Sequence, residues 1–476
     1  MIASTIGRTF LKAYNKKYNK NYSAKEFFDK VYFQYFFNSK KYMQWVTNSP
    51  FVQMKAGQKV DKLNDTERKE KLENLHEKID KGECDASIAI GFPAAEGKEF
   101  ATTSGLVTDI NLKIDKEDIY YSWIGGGFGI GVAGGYSIYF DNVELLLVLF
   151  EGWKVYRKYL DDKTLEKLRG NQINTWNGQW LNFFFGNDYV EDFDFNTLQN
   201  IDIFKVSDTV LEVNTIKWSK LFFSLSNKFS NSSLIGYVFS LGQTNKTLGF
   251  YSFYFNKAEG LRKFYRRLFG DQAAIKQAKQ YEELFGIHIK RACELGTFGL
   301  KALEPKDLRK YYGDSSTLKL TKPNLNIKKG EDTNAYEERK KKLLKKDNEN
   351  LIYYRTYKTW LLAMITKNKE ESLEYTKEVA EALQRYRKRT NKTDRINLIK
   401  TELLASKSKK AFINTLVKIV ESTKEDILKG NAEDLELNIY KSLRDRIHMM
   451  NTEDFGYFVV LLKFDFAYVE RENNIN

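Results

Sequence analysis

The chain has 476 residues, 42% of them hydrophobic and 15% aromatic, which is enough apolar surface for two or three folded domains and excludes a globally disordered protein. Lysine and arginine total 77 against 63 acids, a formal charge of +14 that concentrates polyanions near the surface. Three scattered histidines and two distant cysteines with no Cys-x-x-Cys pair supply poor material for histidine chemistry, a zinc site or disulfide exchange.

Residues 5 to 47 read as two helices, the second starting at Ser23 and carrying Phe27, Phe28, Val31, Tyr32, Tyr35, Phe36 and Tyr42 at helical spacing. Pro50 and Gly57 close this unit, and Lys59 to Lys81 reads as an exposed helix with a solvated face. From Ala86 the texture turns to β, with strands expected at Ser87 to Phe92, Phe100 to Val107 and across the glycine-punctuated stretch Tyr120 to Phe140. Asp141 followed by Glu144 resembles a capping box opening a helix through Leu145, Val148, Leu149, Trp153, Tyr156 and Leu160.

Short strands are expected at Ile201 to Val206, Thr209 to Val213, Leu221 to Leu225, Ser233 to Leu241 and Leu248 to Phe255, then helices at Ala258 to Phe269 and Ala273 to Leu295. Asp314 to Asp332, with Pro323 and no sustained periodicity, reads as a linker. Beyond it lie candidate helices at Tyr336 to Leu344, Leu351 to Ile365, Leu373 to Thr390, Asp394 to Leu404, Lys409 to Lys429, Ala432 to Met450 and Thr452 to Val469. The fold class is therefore α+β. A mixed α/β domain (1–313) joins through a linker (314–334) to a basic, all-α helical bundle (335–476).

The segment Ile124 to Gly135 contains G-x-G-x-x-G, but a dinucleotide site needs a helix opening at the last glycines, where Tyr136 to Phe140 reads as strand. A glycine-rich hairpin and a loop whose N–H groups approach a nucleic-acid backbone both fit. Arg169 to Trp180 reads as a turn dense in Asn and Gln; such amides suit base edges and the flanking tryptophans suit stacking, while a self-satisfied loop with buried indoles fits equally. Basic clusters recur at Lys12, Lys16, Lys17 and Lys20, at Lys154, Arg157 and Lys158, at Arg262 to Arg267, at Arg339 to Lys346, and at Arg385, Arg387, Lys388 and Arg389, and together they point to a distributed phosphate track.

For enzymatic chemistry, Asp85 with Glu96 and Lys98 resembles the PD-(D/E)xK metal-dependent nuclease core, although Pro93 and Gly97 favour a loop there. His76, His288 and His448 are isolated and read as structural or surface histidines. The N-terminus does not read as a secretory signal and the longest apolar run, Leu145 to Phe150, is far short of the roughly 20 residues that span a bilayer. A cytoplasmic chain with no membrane partner is expected.

Taken in order, Tyr121-Ser122-Trp123-Ile124-Gly125-Gly126-Gly127, the Trp153-Lys154-Val155-Tyr156-Arg157 helix, the Arg169-Gly170-Asn171-Gln172-Ile173 turn and the closing helix Phe455 to Tyr468 resemble the large subunit of type I CRISPR interference complexes (Cascade), closest to subtype I-B. The resemblance spans essentially the whole chain and is one of texture and domain order. It implies a non-catalytic subunit without a cofactor. The N-terminal domain would read a short protospacer-adjacent motif in duplex DNA, and the bundle would hold the displaced strand. It also implies partners: CRISPR RNA, target DNA, other Cascade subunits and a recruited helicase-nuclease. Carried onto this sequence, Asn171, Gln172 and Asn174 become candidates for base-edge contacts and Gly125, Gly126 and Gly127 for close backbone approach. Lys154, Arg157, Arg385, Arg387, Lys388 and Arg389 become phosphate candidates. The paired Cys-x-x-Cys motifs of many subtype I-B relatives are missing here, a departure from that subtype's pattern. Two rivals stand beside this reading, a nuclease using Asp85, Glu96 and Lys98, and a stand-alone RNA-binding or assembly protein.

Overall fold

A computed structural model describes residues 2–46, 49–81, 115–186, 189–230, 232–240, 246–256, 258–270, 285, 289–365, 369–390 and 393–473. The strands expected at 87–92 and 100–107 lie outside the described residues, as do most of the helix expected over 273–295, of which Ile289–Leu295 is helical, and the nuclease-like trio Asp85, Glu96 and Lys98. The fold is α+β, with a small mixed sheet in the N-terminal half and a helical C-terminal region. No helix among the described residues is long and apolar enough to cross a membrane.

The chain divides into two compact units, 1–256 with 290–299, and 257–289 with 300–476. The division differs from a simple cut at 313, because the stretch from Leu300 onward packs with the helical unit.

In the first unit, α1 (Ile2–Tyr18) precedes a helix, α2, made of Ala24–Phe27, a π-helical turn Phe28–Tyr32 and Phe33–Phe36. Ser23 opens α2 as a full capping box, accepting from the Glu26 N–H at 3.2 Å while its own N–H donates to the Glu26 carboxylate at 2.9 Å. The aromatic stripe is core as its spacing requires: Phe27, Phe28, Tyr32 and Phe36 are fully buried. Helix α3 (Asp65–Lys81) forms within the expected charged stretch, yet Arg68 and Lys71 are buried, tied to the carbonyls of Leu63, Val60 and Pro50. His76 bridges Tyr120 at 2.7 Å and Asp29 at 3.0 Å, the structural role expected of it.

The expectation of continuous strand over Tyr120 to Phe140 is corrected. Residues Lys116–Gly126 form a helix, α4, capped by Asp115, which accepts from the Glu117 N–H at 3.1 Å. This helix is buried on nearly every side, from Ile119 and Tyr120 through Ser122 to Gly126, so it shows no amphipathic period to read. Only β1 (Ile130–Val132) and β2 (Tyr136–Phe140) are strand, joined by a turn in which Gly134 and Gly135 hold φ of 91° and 75°.

Helix α5 (Val143–Asp161) starts one residue later than expected, because Asn142 is the cap, accepting from the Leu145 N–H at 3.0 Å. The amide-rich segment is corrected in turn: after a short turn, Ile173–Phe184 is a helix, α6. Strands β3 (Phe204–Val206) and β4 (Leu211–Val213) pair as a small hairpin. Leu221 to Leu225, expected as strand, lies inside helix α7 (Trp218–Lys228); a five-residue apolar run fits either state, and burial of Trp218, Leu221, Phe222 and Leu225 along one helical face decides it. Strands β5 (Ser233–Ser240) and β6 (Lys246–Tyr254) complete, with β7 (Thr297–Phe298), a sheet of order β1-β2-β5-β6-β7 in which only the last pairing is parallel.

The second unit contains α8 (Ala258–Phe269), α9 (Thr333–Met364), α10 (Lys369–Lys388), α11 (Asp394–Asn397 with the π turn Leu398–Leu403), α12 (Lys409–Leu428), α13 (Asp434–Met449) and α14 (Thr452–Asn473). The two helices expected at 336–344 and 351–365 are one continuous element, α9. Along α14 every residue from Tyr457 to Ala467 is buried, so this helix forms the axis of the unit. Its two charged members are satisfied internally. Lys463 donates to the Tyr311 carbonyl at 2.8 Å and to that of Asp314, while Asp465 accepts from Lys358 and Tyr354 on one oxygen and from Thr376 on the other, each at 2.7 Å. The linker is thereby strapped to the bundle: Leu318 and Leu320 are buried, and Arg471 reaches the Leu320 carbonyl at 3.0 Å.

Candidate nucleic-acid interface

Gly125, Gly126 and Gly127 are buried where α4 crosses its neighbours. A Cβ on Gly125 would sit 1.8 Å from the Ala3 carbonyl oxygen, one on Gly7 would sit 2.0 Å from that of Tyr121, and one on Gly127 would meet the Trp153 ring at 2.7 Å. The close approach these glycines permit is between helices α1 and α4 and against an indole. It leaves them no exposed backbone for a ligand to reach.

The amides divide similarly. Asn171 is exposed in a left-handed turn with φ 61°, its N–H donating to the Tyr42 carbonyl at 2.7 Å. Gln172 accepts from the Val213 N–H at 3.1 Å, and Asn174 lies against Gly129, 3.1 Å from where its Cβ would be. Deeper in α6, Asn177 donates to the carbonyls of Gly127 at 2.8 Å and Gly129 at 2.9 Å, and Gln179 to that of Asn214 at 2.8 Å. Trp176 and Trp180 are buried, their indole N–H groups donating to the carbonyls of Gly152 and Val148 at 2.7 and 2.8 Å. Asn177 pins the glycine-rich backbone, Gln172 and Gln179 tie α6 to the segment Val213–Asn214, and of the three candidates Asn171 alone is fully exposed.

Lys154 and Arg157 fall together in an open cleft of about 450 Å³ between α1, α2 and α5, lined by Tyr14, Tyr18, Lys30, Gln34, Tyr35 and Phe150. Glu151 organises its floor, accepting from the Tyr18 hydroxyl at 2.5 Å and from Lys154 at 2.9 Å. Burial disfavours the ionised Glu151 carboxyl, but the hydrogen bonds from Tyr18 and Lys154 outweigh it and hold it below the usual carboxylate range. Burial and then the neighbouring carboxylate push the Tyr18 hydroxyl well up. The Lys154 ammonium lies 4.8 Å from the Phe150 ring centroid and 5.1 Å from that of Tyr18. Arg157 is nearly buried, donating to Asp161 at 3.0 Å and to the Lys41 carbonyl at 2.7 Å, which makes it a brace of the cleft wall. Lys12, Lys16, Lys17 and Lys20, on and just beyond the last two turns of α1, are all exposed. This lysine row was visible in the sequence but was not singled out among the candidate contacts.

In the helical unit, the arginines at the end of α10 are engaged with acids. Arg385 meets Glu436 at 3.1 Å, Arg387 meets Glu470 at 2.7 Å, and Arg389 contacts Glu436 and, at 3.4 Å, Asp426. Asp426 also takes two hydrogen bonds of 2.8 Å from Arg395; burial works against its ionised form, and these arginines nonetheless hold its carboxyl below the ordinary range. The cluster is a clamp joining α10 to α11, α12, α13 and α14; Arg385, though paired, is exposed, as is the neighbouring Lys388. Lys341, Lys342, Lys345 and Lys346 on α9 are exposed, in the half of that helix that precedes its first buried residue, Ile352. The geometry thus keeps a cationic, aromatic surface on the first unit and a lysine face on α9, and turns most of the arginine and glycine candidates to structural use. Comparison of the chain with protein-family models, with curated proteins and with solved structures finds no match to any of them.

Proposed function

We propose that this chain is a non-catalytic, nucleic-acid-binding large subunit of an RNA-guided type I CRISPR surveillance complex, working with CRISPR RNA, other Cascade subunits and a recruited helicase-nuclease on target DNA. The observation that carries the nucleic-acid part is the open cleft lined by Tyr18, Tyr35 and Lys154, with Lys17 over the Tyr18 ring at 5.3 Å and Lys12, Lys16 and Lys20 exposed along the same helix and just beyond it. Ammonium groups attract phosphates and the partly exposed rings of Tyr18 and Tyr35 offer faces to bases, a pairing that serves nucleic acid better than it serves a small anion. The order of an α/β unit before a helical unit supports the subunit assignment. On this reading Lys154, Asn171 and Lys388 remain the contact candidates, joined by the α1 lysines.

Purification of the tagged chain from its native host, with sequencing of bound nucleic acid and identification of bound proteins, tests the assignment. Repeat-derived guide RNAs with several stoichiometric partners are expected. A chain recovered alone and without guide RNA sinks the assignment and leaves a stand-alone RNA-binding protein; Mg²⁺-dependent cleavage lost on Glu96→Ala would replace it with the nuclease.

A further inference from the structure

The sheet of the first unit has two unlike faces. Side chains opposite one another in a ladder share a face and alternate along each strand. Ile138, Val238 and Phe253 point one way and are buried, and Gly236 lies so close beneath Phe140 and Phe253 that a Cβ there would come within 2.8 Å of both rings. The register places Ser233 opposite Tyr254, Ile235 opposite Ser252, Tyr237 opposite Phe250 and Phe239 opposite Thr247 on the other face. There Ile235 is 65% exposed, Phe250 63% and Tyr254 45%, and Tyr237 and Phe239 are half-exposed. The rings of Phe250, Tyr237 and Phe239 run on from one another, with centroids 5.1 Å apart for Tyr237 and Phe250 and 5.8 Å for Tyr237 and Phe239, and Phe239 rests on the buried Tyr139 at 4.8 Å. A hydroxyl accompanies them: Thr247 meets the Tyr237 hydroxyl at 3.1 Å.

We propose that this face is a stacking platform for single-stranded nucleic acid. Four rings and one aliphatic side chain make the patch. That composition favours flat partners, since base-on-ring contact needs a π-face and tolerates any base. Neither β5 nor β6 contains an acid, so no carboxylate of these strands repels a phosphate chain laid across the sheet, and the chain as a whole carries +14. Ser233, Thr247 and Ser252 stand between the rings, where hydroxyls can bond sugars or base edges. A duplex keeps its bases stacked on one another, so the platform selects single strands. The surface is distinct from the lysine cleft, and the proposal does not require the RNA-guided assignment.

Fluorescence anisotropy of the full chain with a labelled oligothymidylate, and with the matching duplex, tests it in wild type, Phe250→Ala, Tyr237→Ala and Phe250→Trp. Each alanine variant is expected to weaken single-strand binding roughly 5- to 150-fold and to leave duplex binding unchanged, while Phe250→Trp retains affinity. Both ring positions are partly exposed, and circular dichroism melting checks that the variants stay folded. Undiminished affinity in folded Phe250→Ala overturns the proposal. So does a concentration-dependent dimer that Phe250→Ala dissociates, which would make the face a contact between copies. Guide RNA recovered with the chain alongside Phe250-independent binding removes the platform and leaves the RNA-guided reading; Phe250-dependent binding without guide RNA does the reverse.

Discussion

Asp465 is 1% exposed and is the common acceptor for Lys358, Tyr354 and Thr376, so one carboxylate neutralises a buried ammonium and satisfies two hydroxyls. Asp465→Ala strands that ammonium in the core and is expected to cost about 3–5 kcal/mol by chemical denaturation. Adding Lys358→Met to it should recover most of the loss, because no unpaired charge is then left in this network; a single-variant loss under about 1 kcal/mol would show that the network contributes little. Lys463 behaves differently. Burial lowers its ammonium from 10.5 to about 8, against a smaller opposing pull from Asp314. The folded-state value lies below the unfolded one, so between these limits the unfolded chain binds more protons and this group's contribution shifts toward stability as pH rises. Lys463→Met should therefore be least favourable relative to wild type at about pH 10 and most favourable below about pH 8, read from denaturation midpoints across that range. A midpoint difference constant with pH would mean that the amine titrates normally.

Among the elements, the crossing of α1 and α4 is the tightest, with glycine at Gly7 and Gly125 letting backbone meet backbone. Gly125→Ala should cost about 3 kcal/mol or more, since the atom met at 1.8 Å is a carbonyl oxygen that cannot step aside as a side chain would; Gly57→Ala, where no atom lies within 4 Å, should cost only the strain of its positive φ. Comparing their thermal midpoints separates packing from backbone freedom. The same crossing explains why part of the fold was illegible in the sequence. Elements with one wet face declared themselves: the Ser23 box, the aromatic stripe of α2 and the helices α10 to α13 all carry a period or a cap. Helix α4 does not, because partners on nearly all sides remove the polar face that a period needs, and its glycines read as part of a strand until Ala3 is seen against Gly125. In the candidate site, charge could be counted from the sequence but not its commitment. Nothing local in Gln384-Arg385-Tyr386-Arg387 announces that Glu436 and Glu470 fold back onto those arginines.

At the scale of the whole molecule, ion pairing engages the arginines at the end of α10, and Lys17 with Glu151 at 3.6 Å, while Lys12, Lys16 and Lys20 on and just beyond α1 and Lys341, Lys342, Lys345 and Lys346 on α9 stay exposed. Affinity for single-stranded nucleic acid should consequently fall linearly on a logarithmic salt scale, with a slope near −0.7 per phosphate neutralised. Replacing Lys12, Lys16, Lys17 and Lys20 together by alanine should flatten that slope by about 2–3 without moving the thermal midpoint by more than a few degrees, since all four are exposed. An unchanged slope would place the phosphate track elsewhere. The position of α14 has a further consequence, for biosynthesis. Helix α14 is translated after the helices with which it shares a buried core, so α9 to α13 leave the ribosome with the apolar faces that it covers still open. The first unit, all of it translated by Gly299, is free to finish during synthesis, whereas the second must wait for α14; a premature stop anywhere before Phe455 would yield a nascent bundle destined for chaperones and proteases.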